Sequence, residues 1–153
     1  MKRISTTLLC LGLAVSGIAS SEDILLTPHM SADYTEMEDY QAICVAIGMY
    51  LKGCATGNSE DMKPAFLPQA TVYWVEKGEL KGGPIQILFD VIDAMPGAGN
   101  QSAVISSINV EKNIAQVRLE TDKAGGPRYS DMFQMLKTKD GWKIMSKIYY
   151  SHR

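Results

Sequence analysis

One carboxylate interrupts an apolar row near the end of the chain. Asp131, Phe133 and Met135 are spaced two residues apart, so on a β-strand they share one face. Burying a carboxylate is costly unless it is hydrogen-bonded, paired or protonated, so its presence in this row predicts a special environment. At a cavity wall, burial would favour the protonated carboxyl, which donates to a carbonyl or heterocycle oxygen. The alternative is a structural carboxylate satisfied by Lys147, a tyrosine hydroxyl or a backbone amide.

Aromatic side chains elsewhere in the chain are candidates for the rest of a ligand site. Tyr50 falls on an apolar helical stripe, where its ring fits the core but its hydroxyl still needs a partner. Trp74 has a flat ring suited to stacking on an aromatic ligand, although a large aromatic at an inward strand position is also typical of core filler. The complete predicted ligand-binding set is Tyr50, Phe66, Trp74, Phe89, Asp131 and Phe133.

The sequence lacks the residue patterns of metal sites, nucleophilic catalysis and phosphate binding. His29 and His152 are the only histidines, and no carboxylate spacing resembles a ligand set, so we expect no metal. No Gly-x-Ser-x-Gly motif is present for nucleophilic catalysis. The glycines at 82–83 and 97–99 lack the strand, glycine pattern and helix of a phosphate cradle, and we expect no cofactor.

The first residues have the pattern of a secretory signal peptide. Two basic residues precede an apolar run over residues 8–18, and the small residues that follow favour cleavage after Ala19 or Ser20. Cys10 lies inside the apolar run, so lipidation is not expected. No later stretch has the roughly 18 apolar residues that span a bilayer. We expect residues 1–19 to be a signal peptide and the protein to be exported, to a bacterial periplasm or the medium, without a membrane anchor.

The net charge argues against one class of partner, and the cysteine spacing argues against a disulfide. The formal net charge is −2, and removal of the basic leader makes it more negative, which argues against nucleic-acid binding. Cys44 and Cys54 lie ten residues apart on one predicted helix, about 15 Å along its axis, which is too far for a disulfide. We expect two free thiols that serve as small core residues.

The chain after the leader divides into a tether and one domain. We predict the tether over residues 20–33, which mix charge with Pro28, and the folded domain over residues 34–153. A capping box at Thr35–Glu38 starts a first helix, and Gly53 ends it.

Two further helices and five strands follow. A short helix is predicted from about residue 58 to 66, then a strand over 70–75 and a third helix after Gly82-Gly83-Pro84. Four more strands are predicted as an antiparallel meander over residues 103–110, 114–122, 128–138 and 142–150. Helices grouped before strands predict an α+β domain, in which the helices pack on one face of a strongly curved, mainly antiparallel sheet and leave a cone-shaped interior.

The last turn decides which side chains join Asp131. Asp140-Gly141 is a strong two-residue hairpin signal, and it predicts Trp142 and Ile148 on the Asp131 face. Lys147 would then lie on the opposite face. A three-residue loop would exchange the faces and bring Lys147 towards Asp131, so both registers stay open.

Short motifs along the chain carry a family resemblance. They are Tyr50-Leu-Lys-Gly53, Gly57-Asn58, Pro64-Ala-Phe66, Ala70-Thr-Val72, Asp131-x-Phe133 and Gly141-Trp-Lys-Ile144. With the order of elements, they resemble the nuclear transport factor 2-like (NTF2-like) superfamily, in its SnoaL-like or putative lumazine-binding branch. The resemblance covers residues 34–150. It implies a cone-shaped fold that hosts isomerases, dehydratases, cyclases, ligand binders and dimerisation modules.

Ketosteroid isomerase is the member of this superfamily whose mechanism is best understood. It polarises a carbonyl with a tyrosine and a protonated aspartate, beside a second aspartate that acts as base. The resemblance places Tyr50 and Asp131 at the first two positions and Trp74 at the position of the base. An indole cannot abstract a proton, so the resemblance implies a hydrogen-bonding pair without its base.

These residues favour a protein that binds a small apolar or aromatic molecule in the cone without catalysis. The alternative is an isomerase or dehydratase that polarises a carbonyl through Asp131 and Tyr50. Such an enzyme needs an inward base, for which Asp90 and Glu76 are the candidates.

A third possibility is a structural module that dimerises through the open face of the sheet. Val104 and Val117 would be exposed apolar residues of that face. All three functions are compatible with the homodimer that the resemblance implies.

Overall fold

The computed structural model describes residues 34–123 and 126–152 of the chain. The predicted signal peptide and tether lie outside the described residues and stay predictions. In the part of the chain that is described, no helix is long and apolar enough to cross a membrane.

The elements follow the predicted order, with helices before most of the strands. Helix α1 is followed by two 3₁₀ turns, two strands, helix α2 and four more strands. Their bounds are α1 Tyr34–Thr56, the 3₁₀ turns Ser59–Asp61 and Lys63–Ala65, β1 Phe66–Glu76, β2 Glu79–Pro84, α2 Gln86–Ala94, β3 Ser102–Glu111, β4 Ile114–Asp122, β5 Arg128–Thr138 and β6 Gly141–His152.

The described strands form one curved sheet in the order β2-β1-β6-β5-β4-β3. Neighbouring strands run antiparallel except β1 and β6, which are parallel. Helix α1 packs against the inner face of this sheet. The arrangement confirms the predicted α+β class, and the pairing of β3 to β6 confirms the antiparallel meander of the last four strands.

Helix α1 runs past its predicted end. Gly53 lies inside the helix, which ends before Gly57, where a φ of 69° leaves the helical region. Gly53 is required by packing instead, because a Cβ there would lie 2.6 Å from the Cε atom of Met62. The prediction that Gly53 ends the helix is therefore wrong.

Two 3₁₀ turns replace the predicted second helix, and Phe66 already belongs to β1. The Met62 amide donates to the Ser59 carbonyl at 3.0 Å, and the Ala65 amide donates to the Met62 carbonyl at 2.9 Å. This three-residue spacing is that of 3₁₀ geometry, which proteins use in short pieces. Because Pro64 has no amide hydrogen, the second turn cannot continue the bonding of the first through that residue.

Strand β2 lies where the sequence predicts only a turn. It pairs antiparallel with β1, and Val72 lies opposite Gly83. A Cβ at Gly82 would lie 2.1 Å from the carbonyl oxygen of Val72, so the close approach of the two strands requires glycine. Glycine has a low strand propensity, which is why the local sequence conceals this strand.

The core lies between α1 and the inner face of the sheet. Val117 is fully buried there, between Ala115 and Leu119 on the same side of β4. The prediction of Val117 as an exposed residue of the open sheet face is therefore wrong. Val104 is 58% exposed and lies on the outer face.

The turn between β5 and β6 consists of Lys139 and Asp140, with Thr138 opposite Gly141. The predicted Asp140-Gly141 turn is wrong by one residue, although the loop keeps two residues. Trp142 is buried on the core face, as predicted.

A β-bulge interrupts β6 shortly after this turn. The pairs Met135–Ile144 and Gln134–Ser146 flank the bulge, so Met145 is the extra residue of β6. Because the bulge inserts one residue into a repeat of two, the side chains after it change faces.

Beyond the bulge, Lys147 lies on the core face and Ile148 on the outer face. Lys147 is opposite Phe133 and 3% exposed, while Ile148 is opposite Met132 and 48% exposed. The prediction of Ile148 beside Asp131 is wrong for this reason. Lys147 reaches the Asp131 face through the bulge, without the three-residue loop.

Candidate functional site

Asp131 lies at the centre of a buried hydrogen-bonded triad. It is 1% exposed, and its Oδ2 accepts a hydrogen bond from the Tyr50 hydroxyl at 2.8 Å. Its Oδ1 accepts one from the Lys147 Nζ at 2.6 Å, in an ion pair whose two side chains are both buried. Because the carboxyl accepts from two donors, the geometry favours a charged carboxylate over the protonated donor expected at a cavity wall.

Three different elements supply the triad. Tyr50 comes from the face of α1 that packs on the sheet, Asp131 from β5 and Lys147 from β6. The Tyr50 ring meets Phe133 edge-on, with 5.1 Å between ring centroids, and Phe133 shares its strand face with Asp131. The bulge at Met145 brings Lys147 to the same face. The triad thus depends on helix packing, strand alternation and one bulge.

Aromatic rings surround the Lys147 ammonium. Its Nζ lies 4.1 Å from the centroid of the Tyr149 ring, 5.6 Å from that of Tyr50 and 5.9 Å from that of Phe133. The face of an aromatic ring attracts a cation, and more strongly where water is excluded. Asp131 and these rings together compensate a charge that is otherwise costly to bury.

A cavity of about 310 Å³ borders the triad, and all three triad residues are part of its wall. Its apolar wall residues include Leu51, Val72, Ile87, Leu88, Val91 and Ile92. Polar wall residues outside the triad include Gln101, Thr121 and Lys123. A concave, largely apolar space with a few convergent polar groups is typical of a small-molecule site.

Trp74 and Tyr149 form a stacked pair on the cavity wall. Their ring centroids are 5.4 Å apart and their planes meet at 29°. Tyr129, also on the wall, meets Tyr149 edge-on at 6.0 Å. These rings provide an aromatic surface beside the charged pair, suited to contact with a planar ligand.

The structure divides the predicted ligand-binding residues into two groups. Those on the cavity wall are Tyr50, Trp74 and Asp131. Those buried in the core and absent from that wall are Phe66, Phe89 and Phe133. The core group supports the wall from behind, since Phe66 meets Tyr50 edge-on at 6.3 Å. Contact of the wall group with a ligand stays a prediction.

Neither predicted base candidate lies on the cavity wall. Asp90 is exposed and accepts a hydrogen bond from Gln86 Nε2 at 2.7 Å, and Glu76 is exposed at the end of β1. Asp131 is the carboxylate that the described residues place on the wall. Over residues 34–123 and 126–152, no three potential metal ligands form a group.

Several residues of the cavity wall are not among the ligand-binding residues predicted from the sequence. They are Cys54, Thr121, Tyr129, Lys147 and Tyr149. Tyr129 lies two residues before Asp131, so the alternation of β5 carries a signal for it. Lys147 and Tyr149 follow the bulge. No residue type marks the position of the bulge in the sequence, so the face of these two side chains could not be predicted.

Burial keeps neighbouring groups protonated. Burial, and after it the negative charge of Asp131, raise the pKa of Tyr50 well above its ordinary value of 10.0, so the hydroxyl remains a donor. Burial also raises the pKa of the Cys54 thiol to about 11 and that of Cys44 to about 11. Both cysteines are free, as predicted, but both are half-buried and not fully buried core residues, and both are weak nucleophiles at neutral pH.

The sequence of the chain is similar to a known family and to a characterised protein. The family described as "Putative lumazine-binding" matches residues 38–150. Aldolase FrzH from Cladobotryum sp. is 30% identical over 122 residues, which span 79% of this chain and 98% of that protein.

Solved structures share the fold. An NTF2-like protein of unknown function from Shewanella baltica OS155 is 37% identical, with a TM-score of 0.73 over 80% of this chain and 99% of that chain. A structure described as a putative ketosteroid isomerase from Parabacteroides distasonis is 12% identical, with a TM-score of 0.55 over 70% of this chain and 85% of that one. The second similarity concerns the fold alone.

Proposed function

Because the chain belongs to the putative lumazine-binding family and has the NTF2-like fold, we propose that it is an aldol-type enzyme acting on a small, largely apolar carbonyl compound. Both the family and the fold confirm the resemblance predicted from the sequence. The observation that carries the proposal is the buried Tyr50–Asp131–Lys147 triad at the wall of an apolar cavity.

Lys147 is the group that would hold a carbonyl oxygen. An ammonium has three N–H groups and Asp131 takes one, which leaves donors for a ligand at the cavity wall. A fixed cation in a site that excludes water stabilises the negative charge of an enolate far more than the same cation in water. The apolar wall would hold the rest of the molecule.

An aldol or retro-aldol step also needs a proton acceptor near the carbonyl. The Asp131 carboxylate has lone pairs beyond those bonded to Lys147 and Tyr50, so it can accept a proton from a ligand hydroxyl or C–H group. The sequence favours binding without catalysis because Trp74 stands at the position of the base. In this proposal Asp131 itself acts as the base. Aldolase FrzH, 30% identical along 98% of its length, supports this reaction class.

A fluorogenic retro-aldol assay tests the proposal. The substrate is an aromatic β-hydroxyketone that releases a fluorescent naphthaldehyde. We expect the wild-type protein to accelerate its cleavage and Asp131→Asn to lower the rate by about 100-fold or more, because the proton acceptor is lost. Asp140→Asn removes an exposed carboxylate from the turn of the same hairpin and should leave the rate unchanged. Equal rates for wild type and Asp131→Asn would reject the site.

Ligand binding without turnover is the second candidate function, and the stacked Trp74–Tyr149 pair favours it. A planar heterocycle against this pair should quench the Trp74 fluorescence. We expect lumazine to quench the Trp142→Phe variant, in which Trp74 is the remaining tryptophan, and to leave Trp74→Phe unquenched. Equal quenching of the two variants would show that lumazine does not bind at the cavity.

A further inference from the structure

We propose that the amine of Lys147 forms a covalent iminium with the carbonyl carbon of the ligand. This inference rests on the proposed function, because it needs a carbonyl compound in the cavity. It goes further in making Lys147 a nucleophile that carries the ligand during the reaction, in addition to a donor that polarises it.

The position of Lys147 suits a nucleophilic amine. The side chain is 3% exposed, it is part of the cavity wall, and its Nζ lies 4.1 Å from the centroid of the Tyr149 ring. Lysines that form Schiff bases are commonly desolvated in hydrophobic pockets. Cys54 shares the wall, but burial raises its thiol pKa to about 11, so it holds its proton at neutral pH.

Asp131 provides the route for the protons. Its Oδ1 lies 2.6 Å from the Lys147 Nζ, so a proton can pass directly between the two groups. The transfer turns two buried charges into a neutral amine and a neutral acid. A ligand that fills the cavity and displaces water makes the charged pair more costly and so favours this transfer.

The step balances without any further reactant. Lys147 gives a proton to Asp131, and the nitrogen lone pair attacks the carbonyl carbon, so that a C–N bond forms and the C=O π pair moves to oxygen. One proton moves from nitrogen to that oxygen to give a neutral carbinolamine. Asp131 then returns its proton to the hydroxyl, the C–O bond breaks and water leaves. An ammonium and a carbonyl thus become an iminium and water, and Asp131 ends as a carboxylate.

The surroundings of Lys147 fit the product as well as the starting state. The iminium carries its positive charge on the same nitrogen as the ammonium did. Asp131 at 2.6 Å and the Tyr149 ring at 4.1 Å therefore remain positioned to stabilise it. The Tyr50 hydroxyl, bonded to Oδ2, fixes the carboxylate with Oδ1 towards the nitrogen.

Benzoylacetone, an aromatic 1,3-diketone, tests the covalent step. Its adduct with an amine loses water and settles as a stable enaminone with a new near-ultraviolet absorption band. We expect one adduct per chain, with the mass of the probe minus one water, and peptide mapping should place it on Lys147. The double variant Lys147→Met/Asp131→Asn, in which neither member of the pair is charged, should lose the adduct. Lys139→Met, in the exposed turn, should keep it.

The other outcomes separate this inference from the proposed function. Quenching of Trp74 by benzoylacetone without an adduct would overturn the covalent step and leave carbonyl binding in place. An adduct on Lys123, the exposed lysine of the cavity wall, would also overturn it. Neither quenching nor adduct, together with no retro-aldol cleavage, would remove the proposed function as well.

Discussion

At the scale of single residues, Asp131 and Lys147 depend on each other for their charge. Each side chain is almost fully buried, and their ion pair is 2.6 Å long. Removing one partner of a buried pair leaves the other charge without compensation in a medium of low dielectric constant. The two residues should therefore behave as one unit in stability measurements.

The Lys147→Met variant should lose about 3–5 kcal/mol of unfolding free energy, because the Asp131 carboxylate stays buried and unpaired. Adding Asp131→Asn should restore most of this loss, since no charge then remains to bury. Urea unfolding of the two single variants, the double variant and wild type measures the coupling. Lys139→Met, in the exposed turn, should change stability by no more than about 0.5 kcal/mol. A loss in Lys147→Met as small as this would contradict the coupling.

Local rules predict part of the triad from the sequence. Asp131 stands out because strand alternation places it in an apolar row, and Tyr50 because helical spacing places it on an apolar stripe. Lys147 could not be assigned, because its face depends on the register after Met145. A bulge reflects pairing with a neighbouring strand, which residue types within one strand do not encode.

At the scale of elements, helix α2 forms one side of the cavity, and hydrogen bonds to Ser59 help to anchor it beside its core contact through Phe89. The Asp93 carboxylate accepts hydrogen bonds from both the amide and the hydroxyl of Ser59, each at 2.7 Å. Ser59 is fully buried in the first 3₁₀ turn. These bonds tie α2 to the segment that follows α1, so the cavity wall depends on them.

Ser59→Ala should destabilise the protein by about 1–3 kcal/mol, because the Asp93 carboxylate loses the hydrogen bond that the buried Ser59 hydroxyl donates. The loss should depend on pH. Both bonds from Ser59 lower the pKa of Asp93 from its ordinary 3.8, so the stability they give is present above that pH and is lost as the pH falls through the folded-state value. Thermal unfolding at pH 7 and pH 3 should show a smaller difference between variant and wild type at the lower pH.

Ser102→Ala, at an exposed position of β3, serves as the matched control and should leave stability unchanged at both pH values. A Ser59→Ala effect that is the same at pH 3 as at pH 7 would contradict the role of Asp93.

The elements differ in how far the sequence predicts them. Strands β3 to β6 carry strong periodicity and their bounds follow closely, whereas the end of helix α1 is misplaced at Gly53. Strand β2 contains Gly82 and Gly83. Gly82 allows the close approach of β2 to β1, but the low strand propensity of glycine hides the strand in the local sequence. Gly53 was mispredicted for a similar reason. A glycine at this place in the sequence resembles a helix end, and its close contact with Met62 cannot be read from the local sequence.

At the scale of the whole molecule, the outer face of the sheet leaves apolar side chains in solvent. Those on the last strands include Val104, Met132, Ile148 and Tyr150. Met132 and Ile148 lie directly opposite each other on β5 and β6, so they form a continuous patch. We propose that this face is the interface of a homodimer, since a second copy would cover it.

Met132→Glu combined with Ile148→Glu should convert a dimer into a monomer, because like charges would face each other across the interface. Light scattering coupled to size-exclusion chromatography measures the mass of each form. Val45→Glu, at an exposed apolar position of α1, is the matched control and should leave the mass unchanged. A wild-type protein that is monomeric at high concentration would contradict the proposal.

The bulge at Met145 places one extra residue in β6, opposite no residue of β5. Side chains alternate between the two faces of a strand, and in β6 this alternation shifts by one residue at Met145, three residues after Trp142. If β6 kept all its residues but lost the bulge, strict alternation from Trp142 would place Lys147 on the outer face, where Ile148 now lies. The same residues would then form a cavity wall without the Lys147 ammonium. The chemistry of the cavity therefore rests on a count of residues as much as on their kinds.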